Sequence, residues 1–275
     1  MTQDRLSQDE IFQALCRLAD ESGGKAGSHD FFRAVHRQAL RGMGLSNDAT
    51  IAETGETGVL RYVQSVMTRK GRPDFVIFDV GANVGTYSRA ALDACGQARV
   101  YAFEPSAVAF RSLAAVAAER PDRLSVFNIG FSDHRAIASL HAADAGSALG
   151  SLYARRIAPS GDAFPASETV RLERIDDFCD ANGIDRIDFL KIDVEGHEIA
   201  VLNGAADRLR RGCIDIIQFE FGGCNIDSRS FLRDFIRILD GYSLCRILKD
   251  GLYQLTSFSD LDEIFSYQNF LAIRQ

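Results

Sequence analysis

The chain of 275 residues has no run of 18 or more apolar residues, which excludes an ordinary membrane-spanning helix. Its start, Met1-Thr2-Gln3-Asp4-Arg5, leads into further polar residues rather than an apolar leader core, so the expected location is the cytoplasm. It lacks a basic excess. The formal net charge is −7 and the pI about 5.3, whereas a nucleic-acid binder carries a positive field. It lacks any C-x-x-C pair: Cys16, Cys95, Cys179, Cys213, Cys224 and Cys245 are scattered, as expected of small buried side chains in a reducing compartment. No zinc-ligand spacing, repeat or low-complexity tract is present. What remains is ordinary globular composition, 46% hydrophobic and 25% charged, enough for one large α/β domain with an extension.

The first 70 or so residues read as helices. Ser7-Gln8-Asp9-Glu10 has the form of a capping box, followed by Ile11, Leu15 and Leu18 on one face and a stop at Gly23-Gly24. A second helix is expected from Ser28 to Gly42. A third carries Val59, Leu60, Val63, Val66 and Met67 before Gly71 and Pro73.

From Asp74 onward, short apolar runs alternate with helical segments. Phe75–Phe78, Arg99–Phe103, Leu124–Asn128, Ile187–Ile192 and Ile214–Phe219 suit strands buried on both faces. Helices are expected from Thr86 to Cys95 and after Ser106. This βαβ order predicts a doubly wound α/β sheet, with further strands at Tyr242–Ile247, Leu252–Leu255 and Asn269–Ile273. Residues 134–185 fit the alternation poorly. They include the small-residue stretch Ala145–Gly150, Pro159-Ser160-Gly161 and an alternating Thr169–Leu172, and read as an insertion with one or two extra strands. This insertion and the N-terminal helices are placed as a substrate lid or a homodimer contact.

Four motifs carry chemistry. Asp79-Val80-Gly81-Ala82-Asn83-Val84-Gly85-Thr86 leaves a strand and opens a helix, where an open α/β sheet binds ligand. It departs from G-x-G-x-x-G, which favours a nucleotide without a pyrophosphate. Asp79 suits a ligand ammonium or the loop itself. Glu104, closing the next strand before Pro105, can accept from both hydroxyls of a ribose. Asn128-Ile129-Gly130-Phe131-Ser132-Asp133 follows the third strand; Asp133 can accept from an adenine amino group, with Phe131 or Phe103 against the ring. Finally, Asp188-Phe189-Leu190-Lys191-Ile192-Asp193-Val194-Glu195-Gly196-His197-Glu198 gathers six ionisable groups, assigned to the carboxyl end of an apolar strand, and Glu220 ends the neighbouring one. Charges there are costly unless paired, so their density marks a site.

These motifs, in this order and with Val201-Leu202-Asn203-Gly204-Ala205 and Asn269-Phe270-Leu271-Ala272, make the chain resemble the FkbM methyltransferases over residues 55 to 273. The resemblance implies a class I, Rossmann-like methyltransferase domain at 55–275 behind an N-terminal helical extension at 1–54. It implies S-adenosylmethionine as cofactor and a sugar, glycan or polyketide-like hydroxyl as acceptor. Carried over by motif, Asp79, Gly81, Asn83, Gly85, Thr86 and Glu104 bind the cofactor, with Ser132 or Asp133 near adenine. Asp193 and Glu195 lie between cofactor and acceptor.

An alcohol needs to lose a proton to attack, so a base is expected among Asp193, Glu195 and His197, with Lys191 orienting a carboxylate or the oxygen. A metal-assisted version would draw on Asp193, Glu195 and Glu220; no residue is assigned to a metal. Two other classes compete. A nicotinamide-dependent oxidoreductase of the short-chain type needs Tyr-x-x-x-Lys, which is absent. A scaffold without turnover would keep the fold but has no use for an intact glycine loop beside an acidic block.

Overall fold

The computed structural model describes residues 6–45, 54–142, 150–153 and 166–275. The chain divides into two compact units, Met1–Leu45 and Ser46–Gln275.

The first unit holds α1 (Gln8–Ser22) and α2 (His29–Gly42), joined through a short 3-10 turn at Ala26–Ser28. The capping box forms as expected: Ser7 Oγ accepts from the Glu10 amide, and Glu10 accepts from the Ser7 amide at 2.8 Å. Both helices are amphipathic, yet neither buries a residue, and Ile11, Phe12 and Phe31 stand exposed.

The second unit runs α3 (Glu56–Arg69), β1 (Val76–Val80), α4 (Thr86–Ala94), β2 (Arg99–Phe103), α5 (Ala107–Ala118), β3 (Leu124–Phe127), β4 (Gly130–Phe131), β5 (Ala136–Ala142), β6 (Ala166–Glu173) and α6 (Ile175–Asn182). It continues with β7 (Ile187–Ile192), α7 (Glu198–Gly204), α8 (Ala206–Arg210), β8 (Ile214–Phe221), α9 (Cys224–Ser228), α10 (Leu232–Ile238), β9 (Tyr242–Leu248), β10 (Gly251–Gln254) and β11 (Gln268–Arg274).

Eight strands form one sheet in the order β10-β9-β11-β8-β7-β1-β2-β3. The five strands from β8 to β3 are parallel, whereas β11 is antiparallel to both β8 and β9. Every residue of β7 and β8 is buried, because helices cover both faces. Alternation divides the core in two. Phe78, Phe103, Leu190 and Phe219 face the layer of α6, α7 and α10; Ile77, Val100, Phe189 and Ile216 face α3, α4 and α5.

The sheet order reverses direction beside β1, so the loops after β1, β2 and β7 meet at one rim, the position where doubly wound sheets bind ligands. The expected insertion contributes β5 and β6, which pair antiparallel; β6 also pairs with β4 to make a second, three-stranded sheet. It also holds α6, which hydrophobic alternation did not suggest. Most of Ala145–Gly150 and all of Pro159–Gly161 lie outside the described residues, so the expected lid is undescribed there. Among the described residues no helix is long and apolar enough to cross a membrane. The cysteines are unbridged, four buried and two partly so.

Candidate active site

A cavity, partly open to solvent, lies at the rim. One wall is the loop after β1. Gly81 has φ +82, and a β-carbon there would lie 1.8 Å from the Asp193 carbonyl oxygen. Only glycine allows the loops after β1 and β7 to approach so closely. Asn83 also adopts a positive φ, 48°. Its amide donates to Glu104 Oε2 at 2.8 Å, while the Ser106 amide donates to Oε1 at 2.7 Å. Glu104 thereby ties the loops after β1 and β2 together. Burial pushes its carboxyl up to about 7 against the pull of those two amides. Each carboxylate oxygen keeps a further lone pair for a ligand hydroxyl.

The second wall is apolar: Pro105, Gly130, Phe131, Leu140, Leu152 and Leu172, largely from the three-stranded sheet. Of the two phenylalanines expected to face a ring, Phe131 lines the cavity. Phe103 is instead packed among Phe78, Phe131 and Phe178. Ser132 is buried, and its hydroxyl bonds Asp133 at 3.1 Å and His197 Nε2 at 2.9 Å. Asp133 is outside the lining; its half-exposed carboxylate bonds His134, which holds it below the usual range.

The floor is the acidic turn after β7. Asp193, Glu195 and His197 line it. The Lys191 ammonium is buried 3.0 Å from Asp193 and 3.7 Å from Asp79, and stands 4.7 Å over the Tyr87 ring. Burial works against that charge, yet Asp193 and Asp79 raise its pKa overall. Burial likewise pushes the Asp193 carboxyl up, but Lys191 outweighs it and holds Asp193 ionised. Glu220 is the opposite case: burial and then Asp193, Glu195 and Glu198 push its carboxyl well above its ordinary value. His197 is bonded at both nitrogens, Nε2 to Ser132 and Nδ1 to Tyr153 at 3.1 Å, and burial pushes it down to about 4. Its imidazole is neutral at pH 7.

Other expected site residues stand behind the cavity wall. Asp79 is fully buried and accepts from Ser88 at 2.6 Å, binding α4 to β1. Gly85 is the left-handed residue before α4, φ +87, and Thr86 is exposed on that helix's first turn. One expectation is corrected. Asp188 does not belong to the carboxyl end of β7: it is the second residue of the strand, at the opposite rim, where it bonds Arg72 at 2.6 Å and the Val76 amide at 2.9 Å. The reason is length, since it stands five positions of extended chain before Asp193.

Several residues at the site have no motif to announce them. Glu56, at the start of α3, is buried against Gln218 Nε2 at 2.7 Å and within electrostatic reach of Lys191. Glu168 of β6 caps α5 through the Ala107 amide at 2.7 Å. Ser151 and Tyr153 sit in an irregular segment without periodicity. One ligand atom each of Glu195, Glu220 and Cys224 lies within 4.8 Å of the others, an arrangement able to hold a cation.

The residues present fit an adenosyl amino acid. Asn83 Oδ1 is a buried acceptor without a hydrogen-bond partner, the Glu104 oxygens can accept from a diol, and the apolar wall suits a flat ring.

The chain matches the methyltransferase FkbM domain over residues 79–270. It is 26% identical over 199 residues to the 2-O-methyltransferase NoeI of Sinorhizobium fredii, covering 64% of this chain and 78% of that one. Against the hexuronic acid methyltransferase AglP of Haloferax volcanii it is 26% identical over 168 residues, covering 61% and 64%. It is 30% identical over 179 residues to the antimetabolite synthetase AmbE of Pseudomonas aeruginosa, covering 53% of this chain but only 8% of that much longer protein.

Proposed function

Because the chain belongs to the FkbM methyltransferase family, we propose that it is an S-adenosylmethionine-dependent O-methyltransferase whose acceptor is a hydroxyl of a sugar, a glycan or a polyketide-like metabolite. The observation that carries this reading is convergence: Asp193 and Glu195 line the same cavity as Gly81, Asn83 and Glu104. The name of NoeI, a 2-O-methyltransferase, favours transfer to oxygen, and that of AglP, a hexuronic acid methyltransferase, favours a sugar acceptor. The helical extension at 1–54 is proposed as accessory to a domain at 55–275, with the whole in the cytoplasm.

When bound, the cofactor supplies a methyl group on a sulfonium, already a good leaving group. The protein's part is then to place an oxygen and remove its proton. Gly81 and Asn83 shape the loop against the cofactor's amino-acid portion, and Glu104 takes the ribose hydroxyls. Asp193, kept ionised by Lys191, accepts the acceptor's proton. Glu195 orients the acceptor from the other side. His197 has both ring nitrogens engaged, by Ser132 and Tyr153, and serves the geometry of the turn.

The test is a methyl-transfer screen with labelled S-adenosylmethionine over methyl hexosides, hexuronides, glycolipids and polyketide alcohols. Label in a base-stable methyl ether of one class is the expected result. Cofactor binding without transfer to any class would favour a scaffold on the same fold.

A further inference from the structure

The turn that carries Glu195 is held in a conformation its side chain disfavours. Glu195 has φ 53°, the left-handed region in which a β-carbon crowds the carbonyl oxygen. Gly196 follows at φ +103, and a β-carbon there would lie 2.9 Å from the Cys224 carbonyl oxygen. Such a turn persists only where its surroundings over-determine it.

Two sets of contacts do so, from opposite sides. On the α7 side, Glu198 Oε1 accepts from the Val194 and Gly196 amides, each at 3.1 Å. On the other side, Ser151 Oγ donates to the Glu195 carbonyl oxygen at 2.7 Å. That carbonyl and the Gly196 amide belong to one peptide unit, which is therefore gripped at both ends. Ser151 is itself fixed: fully buried, and joined to His141 of β5 by two backbone hydrogen bonds of 2.7 and 2.8 Å. The Tyr153 amide donates to Ser151 Oγ at 3.2 Å, and the Tyr153 hydroxyl meets His197, two residues past Glu195. His197 in turn reaches Ser132 beside β4. Three residues of the second, smaller sheet's connections, Ser151, Tyr153 and Ser132, thus converge on one turn of the main sheet.

We propose that Ser151 and Tyr153 are positioning residues for Glu195, holding its strained peptide so that the carboxylate stays in the cavity beside Asp193. The three-stranded sheet is then part of the methyl-transfer machinery rather than a decoration at its edge. This rests on the proposed reading of Glu195 as an acceptor-facing group.

The experiment is residue-resolved hydrogen exchange together with steady-state kinetics on Ser151→Ala, Tyr153→Phe, Glu195→Gln and the double variant Ser151→Ala/Glu195→Gln. The kinetics use labelled S-adenosylmethionine with methyl hexosides and hexuronides. In Ser151→Ala, exchange at the Val194 and Gly196 amides should accelerate about tenfold or more while amides in β1, β7 and β8 stay unchanged. Tyr153→Phe should do the same to a smaller degree. Turnover should fall about tenfold in Ser151→Ala with cofactor affinity held within about twofold, and the same change should cost almost nothing further in the Glu195→Gln background. Unchanged exchange at 194 and 196, or a full additional loss in that background, overturns the proposal. If Glu195→Gln alone retains full turnover, the acceptor-facing reading fails, while the exchange data still decide whether the turn is clamped.

Discussion

Strands β7 and β8 carry buried carboxylates at both ends, and the two ends are balanced differently. At the amino rim, Asp188 and Asp215 meet an excess of cations: Lys70 lies 2.8 Å and Arg72 3.0 Å from Asp215, Arg186 also bonds it, and Arg274 approaches to 3.5 Å. Burial would raise Asp215, but Lys70, Arg186 and Arg72 outweigh it and keep the carboxyl below its ordinary range. At the carboxyl rim, Lys191 is shared by Asp79 and Asp193, with Glu56 also in its field, and Glu220 and Glu198 are left to burial. The same residue types on the same strands therefore do different work. A rim whose charges cancel stabilises the fold, and a rim whose charges are short of partners is poised for a ligand.

The largest effects should come from reversing this contrast. Asp193→Asn should cut turnover by about 10² or more while the chain still folds, Asp79 remaining as a partner for Lys191. Asp215→Asn should leave turnover alone and cost about 2 kcal/mol of stability, below the range for a fully buried pair because its cations are partly exposed. Equal loss of activity from both would erase the distinction.

A smaller effect sharpens it through pH. Glu104 and Glu198 are raised to about 7 from an ordinary 4.5, so the folded state holds protons that the unfolded chain releases. Their contribution to stability is present below pH 4.5 and is lost as pH rises toward 7. Asp215, depressed in the fold, has the opposite sign: its contribution is present above its ordinary 3.8 and is lost as pH falls through its lower folded value. Urea midpoints at pH 3, 5 and 8 should show both slopes, and Glu104→Gln should flatten only the one between pH 4.5 and 7.

Local patterns carried most of the fold. The capping box at Ser7, the apolar runs of β1, β2, β7 and β8 and the glycine loop after β1 are short-range signals, and each falls within a residue or two of its expected place. Pairing is another matter. β5 and β6 meet across residues distant in the chain, and β4 is two residues long, so alternation alone could not reveal the three-stranded sheet. The glycine loop that lines the cavity was legible because a tight turn demands glycine. The clamp from Ser151 and Tyr153 was not, since a single serine in an irregular segment looks like any surface loop. Asp188 and Asp193 show the limit most clearly. Five positions apart in one motif, they lie at opposite rims, and only the strand's length separates the structural carboxylate from the one in the cavity.

Calorimetric titration of S-adenosylmethionine into the wild-type protein and into Glu104→Gln tests the central assignment most directly. The account predicts one site per chain, displaced by S-adenosylhomocysteine, with affinity reduced about tenfold or more in the variant. No heat of binding in the wild type, or equal affinity in both proteins, would contradict it.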